Sequence, residues 1–256
     1  MKNALLTLFV LINFLSHGQN LVKDNYWLFG ASGGLTQGNV SSINSSYDFT
    51  GKRGFRAGIL TKYYFSPHIA LGAEIEFEKR GFTAGIFNFG LQANDTSNYV
   101  CWDCYYSSLV DYQSFYLTLP LYIQFQRQLN KIGFFFRTGL YYSLMLQSYQ
   151  DGYEEMFIDA VTGLPFAEYG YEPGRYRNIF AGEVENVVNT YDAGMLFGLG
   201  ITYLVTEKIG LTLDASFFLG VAGYFENPEL VVAQFKSSSL NLGLNYKVLA
   251  KKNRSK

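Results

Sequence analysis

The feature that most constrains this chain is a set of segments in which apolar and polar residues alternate with period two. The connections between them alternate too, between about three residues and much longer stretches. From residue 115 to 126 the odd positions read Phe115, Leu117, Leu119, Leu121, Ile123 and Phe125. The even positions read Tyr116, Thr118, Pro120, Tyr122, Gln124 and Gln126. Successive side chains leave a strand on opposite faces, so one face of this segment is continuously apolar. Segments 132–144, 209–220 and 240–248 repeat the pattern, and 27–36, 55–65, 69–78 and 193–205 follow it less sharply. That makes about eight strands, an even number. Short turns at 66–68, 129–131 and 206–208 interleave with long connections at 38–53, 80–113, 147–191 and 223–236. A membrane barrel sorts its connections in this way, with short turns at one end and long loops at the other. A soluble meander has no reason to. Pro120 sits inside a strand and lacks an N–H to donate, which predicts a bulge or a break there.

Composition then decides which face meets what. Only 16% of residues are charged against 48% hydrophobic, whereas a soluble domain carries about 25% charged residues. Beyond the N-terminal segment no run approaches the roughly 18 apolar residues that a spanning helix needs. The net charge of −1 excludes a strongly basic nucleic-acid binder. A soluble lipocalin-type barrel would turn the apolar face inward. The polar face of these segments, however, is rich in glycine (Gly58, Gly72, Gly133, Gly139, Gly198, Gly200 and Gly243). Small residues suit a narrow lumen crowded by bulky neighbours. The fold expected is therefore all-β: a transmembrane antiparallel up-and-down β-barrel of about eight strands, with short periplasmic turns and long extracellular loops. Its apolar face meets outer-membrane lipid. Residues 1–18 read as a signal peptide, with Lys2, an apolar stretch from Ala4 to Leu15 and small residues near Gly18. Residues 19–256 read as a single barrel domain. Trp27, Tyr63, Phe65, Phe77, Phe115, Phe125, Tyr142, Tyr203 and Tyr246 are candidates for aromatic belts at the two interfaces.

The polar face also carries charge. Arg56, Lys62, Arg137 and Lys247 oppose Glu74, Glu76 and Asp214, and these predict a lumen charge cluster. Unpaired burial would cost several kcal/mol for each ion. Cys101 and Cys104 fall in a predicted extracellular loop and form a candidate loop disulfide in an oxidising compartment. The acidic run Asp151, Glu154, Glu155 and Asp159 is a solvated loop or, less favoured, a divalent-cation site. The same stretch carries Tyr149, Tyr153, Phe157, Phe166, Tyr169, Tyr171 and Tyr176, an aromatic density suited either to a partner protein or glycan or to packing above the barrel. His17 leaves with the signal peptide and His68 occupies a short turn, so hydrolases needing a histidine base find little here. The expectation is no enzyme, no cofactor and no metal.

Several of these strings carry a resemblance. The Gly18-Gln19 junction, the strands Leu117-Thr118-Leu119-Pro120-Leu121 and Gly139-Leu140-Tyr141-Tyr142, the Gly198-Leu199-Gly200 step and Leu242-Gly243-Leu244-Asn245-Tyr246 resemble the Bacteroidetes-type outer-membrane β-barrel (porin-family) proteins, a group that includes the PorT-like proteins. The resemblance implies a bacterial outer-membrane location and no agreed substrate. PorT-like members are associated with type IX secretion. The expected role is a barrel whose surface loops mediate interaction or assembly, with envelope proteins or surface glycans as partners. A narrow solute channel and a secretion-associated barrel are the alternatives.

Overall fold

A computed structural model of the chain describes residues 25–42, 48–92, 100–160, 172–183, 189–223 and 233–249. The predicted signal peptide at 1–18 lies outside them. The described strands are β1 (Tyr26–Ser42), β2 (Asp48–Gly51), β3 (Arg53–Tyr64), β4 (Ile69–Gln92), β5 (Val100–Leu129), β6 (Ile132–Ile158), β7 (Gly174–Glu183), β8 (Tyr191–Leu204), β9 (Ile209–Gly223) and β10 (Ala233–Leu249). Every pairing among them is antiparallel.

The pairings close a ring in the order β1-β3-β4-β5-β6-β8-β9-β10, with β10 returning to β1. Eight strands therefore form the wall. The two short strands extend it: β2 carries the path of β3 along β4, and β7 carries the path of β8 along β6. Closure leaves no unpaired edge in a region where no water is available to satisfy one.

The alternation sorts as the sequence requires. Phe134, Leu140, Leu199, Leu213 and Leu244 point outward and are exposed, Leu140 to 63%. Arg56, Lys62, Glu74, Glu76 and Arg137 point inward and are buried, Arg137 at 2% exposure. An exposed apolar shell around a charged interior is a soluble fold turned inside out, and only a lipid solvent stabilises it. Two aromatic belts bound that shell. Trp27, Tyr63, Phe65, Tyr203 and Tyr246 lie near the short turns, with the Trp27 and Tyr63 rings 4.9 Å apart. Phe55, Phe77 and Phe115 pack side by side toward the far end, joined by Tyr142 and Tyr191. Along β1 the belts are separated by the stretch from Trp27 to the level of Leu35, which pairs with Phe55. That stretch is about 27 Å of strand, or about 20 Å along the axis of a barrel tilted by 40°.

Two expectations are corrected. The connections at 80–113 and 147–191 are largely strand: β4 and β5 run on together to Gln92 and Val100, while β6 and β7 pair from Tyr149 to Ile158. The wall thus rises far above the upper belt on one side as a four-stranded sheet. At Pro120 there is neither bulge nor break. Pro120 is in register with Tyr141 of β6, while the β4–β5 ladder lapses between Ala73/Leu121 and Glu76/Thr118 and resumes in the same register. The missing N–H costs one gap in one ladder, and the register shift of β5 against β6 lies instead at Phe115/Tyr116.

Candidate functional site

Three regions bear on function: the charged lumen, the cavity at the short-turn mouth and the sheet above the membrane.

The lumen is filled by paired ions braced by rings. Deepest toward the far end, Arg80 lies 2.6 Å from the Asp192 carboxylate and 3.0 Å from Glu78. It also donates to the Ser143 hydroxyl at 3.1 Å. The Tyr141 hydroxyl donates to Asp192 at 2.8 Å. Arg56 pairs with Glu78 at 2.8 Å and Glu76 at 3.4 Å, with its guanidinium carbon 3.9 Å from the centre of the Phe218 ring. Arg137 joins Glu74 at 2.5 Å and Asp214 at 3.0 Å, and donates to Ser216 at 2.7 Å. Tyr122 donates to the same Glu74 oxygen, and Asn241 to Asp214. Lys62 lies below them and donates to Gln124 at 2.9 Å. Glycine makes room for the rings: a Cβ on Gly72 would stand 2.4 Å from the Tyr122 ring, and one on Gly200 would stand 2.3 Å from Phe135. Above the ions, Val40, Phe82, Ala84 and Phe235 form an apolar plug. Below them, Tyr26, Tyr64 and Ala70 form a second buried cluster, at the side of the mouth.

The predicted charge cluster is thus brought together in six of its seven members. Lys247 is the exception. It sits at the mouth with its ammonium 4.2 Å from the centre of the Tyr26 ring, and makes no ion pair among the described residues. Its period-two parity on β10 is right, but Tyr246↔Ile209 pairing places it one step from the short turn, where the wall meets water. Three further buried charges stand outside the predicted cluster: Glu78, at the end of the segment 69–78, and Arg80 and Asp192, which lay in or beside segments read as loops. Even-numbered parity carried on past Glu78 would have found Arg80.

The mouth at the short-turn end opens into a blind cavity of about 470 Å³, lined among others by Lys62, Lys247, Lys208, Glu207, Tyr64 and Asn245. His68 stands in the adjacent turn, its Nδ1 3.2 Å from the Gln126 carbonyl.

Above the membrane, Cys101 and Cys104 form a disulfide. They lie within β5 rather than in a loop, in a buried cluster with Ile158. The acidic run is likewise on or beside strand β6. Glu155 accepts from Arg175 at 2.7 Å and from the Tyr105 hydroxyl at 2.6 Å, and these bonds hold its carboxyl below the usual range. It is thereby committed to the sheet, and no group of three or more metal-ligating side chains occurs among the described residues. Phe87, Phe89, Tyr105 and Phe157 share the outward face in mutual ring contact. Phe166, Tyr169 and Tyr171 lie outside the described residues.

The family described as "Outer membrane protein beta-barrel domain" matches residues 16–226 of the sequence. No curated protein matches it. Among solved structures, the chain is similar to the outer membrane protein OprG from Pseudomonas aeruginosa (8% identity, 89% of this chain and 97% of that one covered, TM-score 0.47). It is also similar to Neisserial surface protein A (11% identity, 86% and 97% covered, TM-score 0.42). A third is Ail, the attachment invasion locus protein of Yersinia pestis (11% identity, 86% and 98% covered, TM-score 0.36).

Proposed function

The chain belongs to the outer membrane protein beta-barrel domain family, and on that premise we propose that it works in the bacterial outer membrane as a closed, non-enzymatic barrel that presents its tall extracellular sheet to a partner at the cell surface. One observation carries the reading: above the cavity at the short-turn mouth, the described lumen is filled by buried ion pairs and an apolar cluster, while the wall beyond the upper belt continues as a sheet. Among the described residues nine buried charges face the lumen, four cationic and five carboxylate, and all but Lys62 are ion-paired there. Water or solute passing through would have to break pairs that cost several kcal/mol each to separate. An eight-stranded barrel has an interior just wide enough for its own side chains. The outward aromatic face of the sheet is the kind of surface that anchors protein or glycan partners.

The partner class follows from exposure to the cell surface: an envelope protein or a surface glycan. Association with a secretion assembly, as for the PorT-like members of the group that the sequence resembles, is one form of the same role. Planar-bilayer recording and crosslinking capture test the proposal together. Expected are no steady conductance and a crosslinked partner lost when Phe87, Phe89 and Tyr105 are replaced by serine. Steady ohmic conductance in the purified barrel would instead favour the narrow-channel alternative.

A further inference from the structure

The cavity at the short-turn mouth is not used by that role, and its lining is chemically one-sided. Three lysines, Lys62, Lys208 and Lys247, share it with one acid, Glu207. Lys62 forms the roof. Its ammonium is buried and has three N–H groups, of which Gln124 Oε1 takes one. No carboxylate lies within ion-pair distance of it among the described residues. Glu74 and Asp214, the acids whose field reaches Lys62, are both held by Arg137. Phe135 and Tyr122 flank Lys62 at 5.2 and 5.9 Å. Lys247 is fixed on the wall by the Tyr26 ring, and Tyr26 is stacked on Tyr64 at 4.3 Å. Leu28, Pro67 and Leu204 complete an apolar side, while Gln126, Gln128 and Asn245 supply amides. The volume falls in the range of about 300–1,000 Å³ typical of small-molecule sites.

We propose that this cavity is a periplasm-facing binding site for a small organic anion, a carboxylate or phosphate carried on a flat or apolar body. The anionic group is received by Lys62 and Lys247, and the body lies against the Tyr26–Tyr64 stack. The short-turn end of such barrels faces the periplasm, so the site is filled from that side and the ion-paired lumen above closes it.

The test is calorimetric titration of the full mature barrel in lipid nanodiscs at constant ionic strength, with benzoate and inorganic phosphate as probes. Lys62→Met and Lys247→Gln each weaken binding about tenfold, the loss expected for one charge-assisted hydrogen bond. Glu207→Gln tightens it, because the one opposing charge is removed. Benzoate binding more tightly than phosphate identifies an organic ligand that uses the ring stack; the reverse order identifies a phosphate group as the ligand's head. Should Lys62→Met fail to fold, as read by heat-modifiable mobility, the two mouth variants decide. Absence of saturable binding, or affinities unchanged in folded Lys247→Gln and Glu207→Gln, would overturn the proposal and leave a solvent vestibule.

Discussion

Replacing Arg137 with methionine tests whether the lumen is held by paired charge. Arg137 is 2% exposed and spans the barrel from β6 to Glu74 of β4 and Asp214 of β9. Its removal leaves two buried carboxylates facing one remaining local cation, Lys62, whose field includes both. Breaking a buried pair by deleting one partner costs about 3–5 kcal/mol. Here Glu74 keeps the Tyr122 hydroxyl, and Asp214 keeps Ser216 and Asn241. The lower end of the range, about 3 kcal/mol, is therefore expected. The double variant Arg137→Met with Glu74→Gln removes one charge of each sign and restores local neutrality. It should recover about 2 kcal/mol of that loss, because a neutralised site no longer carries the cost of an uncompensated ion. Urea unfolding in lipid vesicles, followed by tryptophan fluorescence (Trp27 lies in the lower belt), reads both numbers. A single variant destabilised by less than about 1 kcal/mol, or a double variant no more stable than the single, would refute the claim that these charges are desolvated and interdependent.

The outward face gives a second expectation. Leu199 lies on β8 between Tyr191 and Tyr203, one pleat from the midpoint at Phe197, and is 63% exposed, so Leu199→Arg should cost about 2–4 kcal/mol in lipid by urea titration. Above the membrane, the carboxyl of Glu155 is held below its ordinary value by Arg175 and Tyr105. The stabilisation it gives the β6–β7 pairing is present above its unfolded pKa of about 4.3 and is lost as pH falls through the lower folded value. Amide exchange of residues 174–183 should accelerate in that acid range, and Glu155→Gln should remove the dependence. Reduction of the Cys101–Cys104 bond removes a constraint on only a four-residue loop, worth roughly 2 kcal/mol on a chain-entropy estimate. Protease sensitivity near the tip should rise while heat-modifiable mobility of the barrel stays unchanged.

How much was legible varies along the wall. Within the membrane the contrast between faces is set by two solvents, lipid outside and packed lumen inside, and it is printed in residues 115–126 and 132–144 as plain alternation. All eight wall segments and all three short turns follow from it. Above the upper belt the outer solvent becomes water and the contrast fades or reverses. In β4, outward Thr83 is polar and inward Phe82 and Ala84 are apolar. A strand that continues through this switch looks as if it ends, which is why 80–113 and 147–191 read as loops and why Arg80 and Asp192 escaped notice.

The sequence alone determined that the chain forms a closed membrane wall with its charges turned inward, because period-two patterning against lipid permits few other arrangements. It also named most of the charges that meet inside. Only the tertiary structure decided which charge faces which. Ring closure sets the stagger between strands 60 to 160 residues apart, such as Lys62 with Gln124 and Ser237 with Glu78. That stagger depends on register and on bulges such as Phe115/Tyr116, neither of which a single strand's pattern encodes.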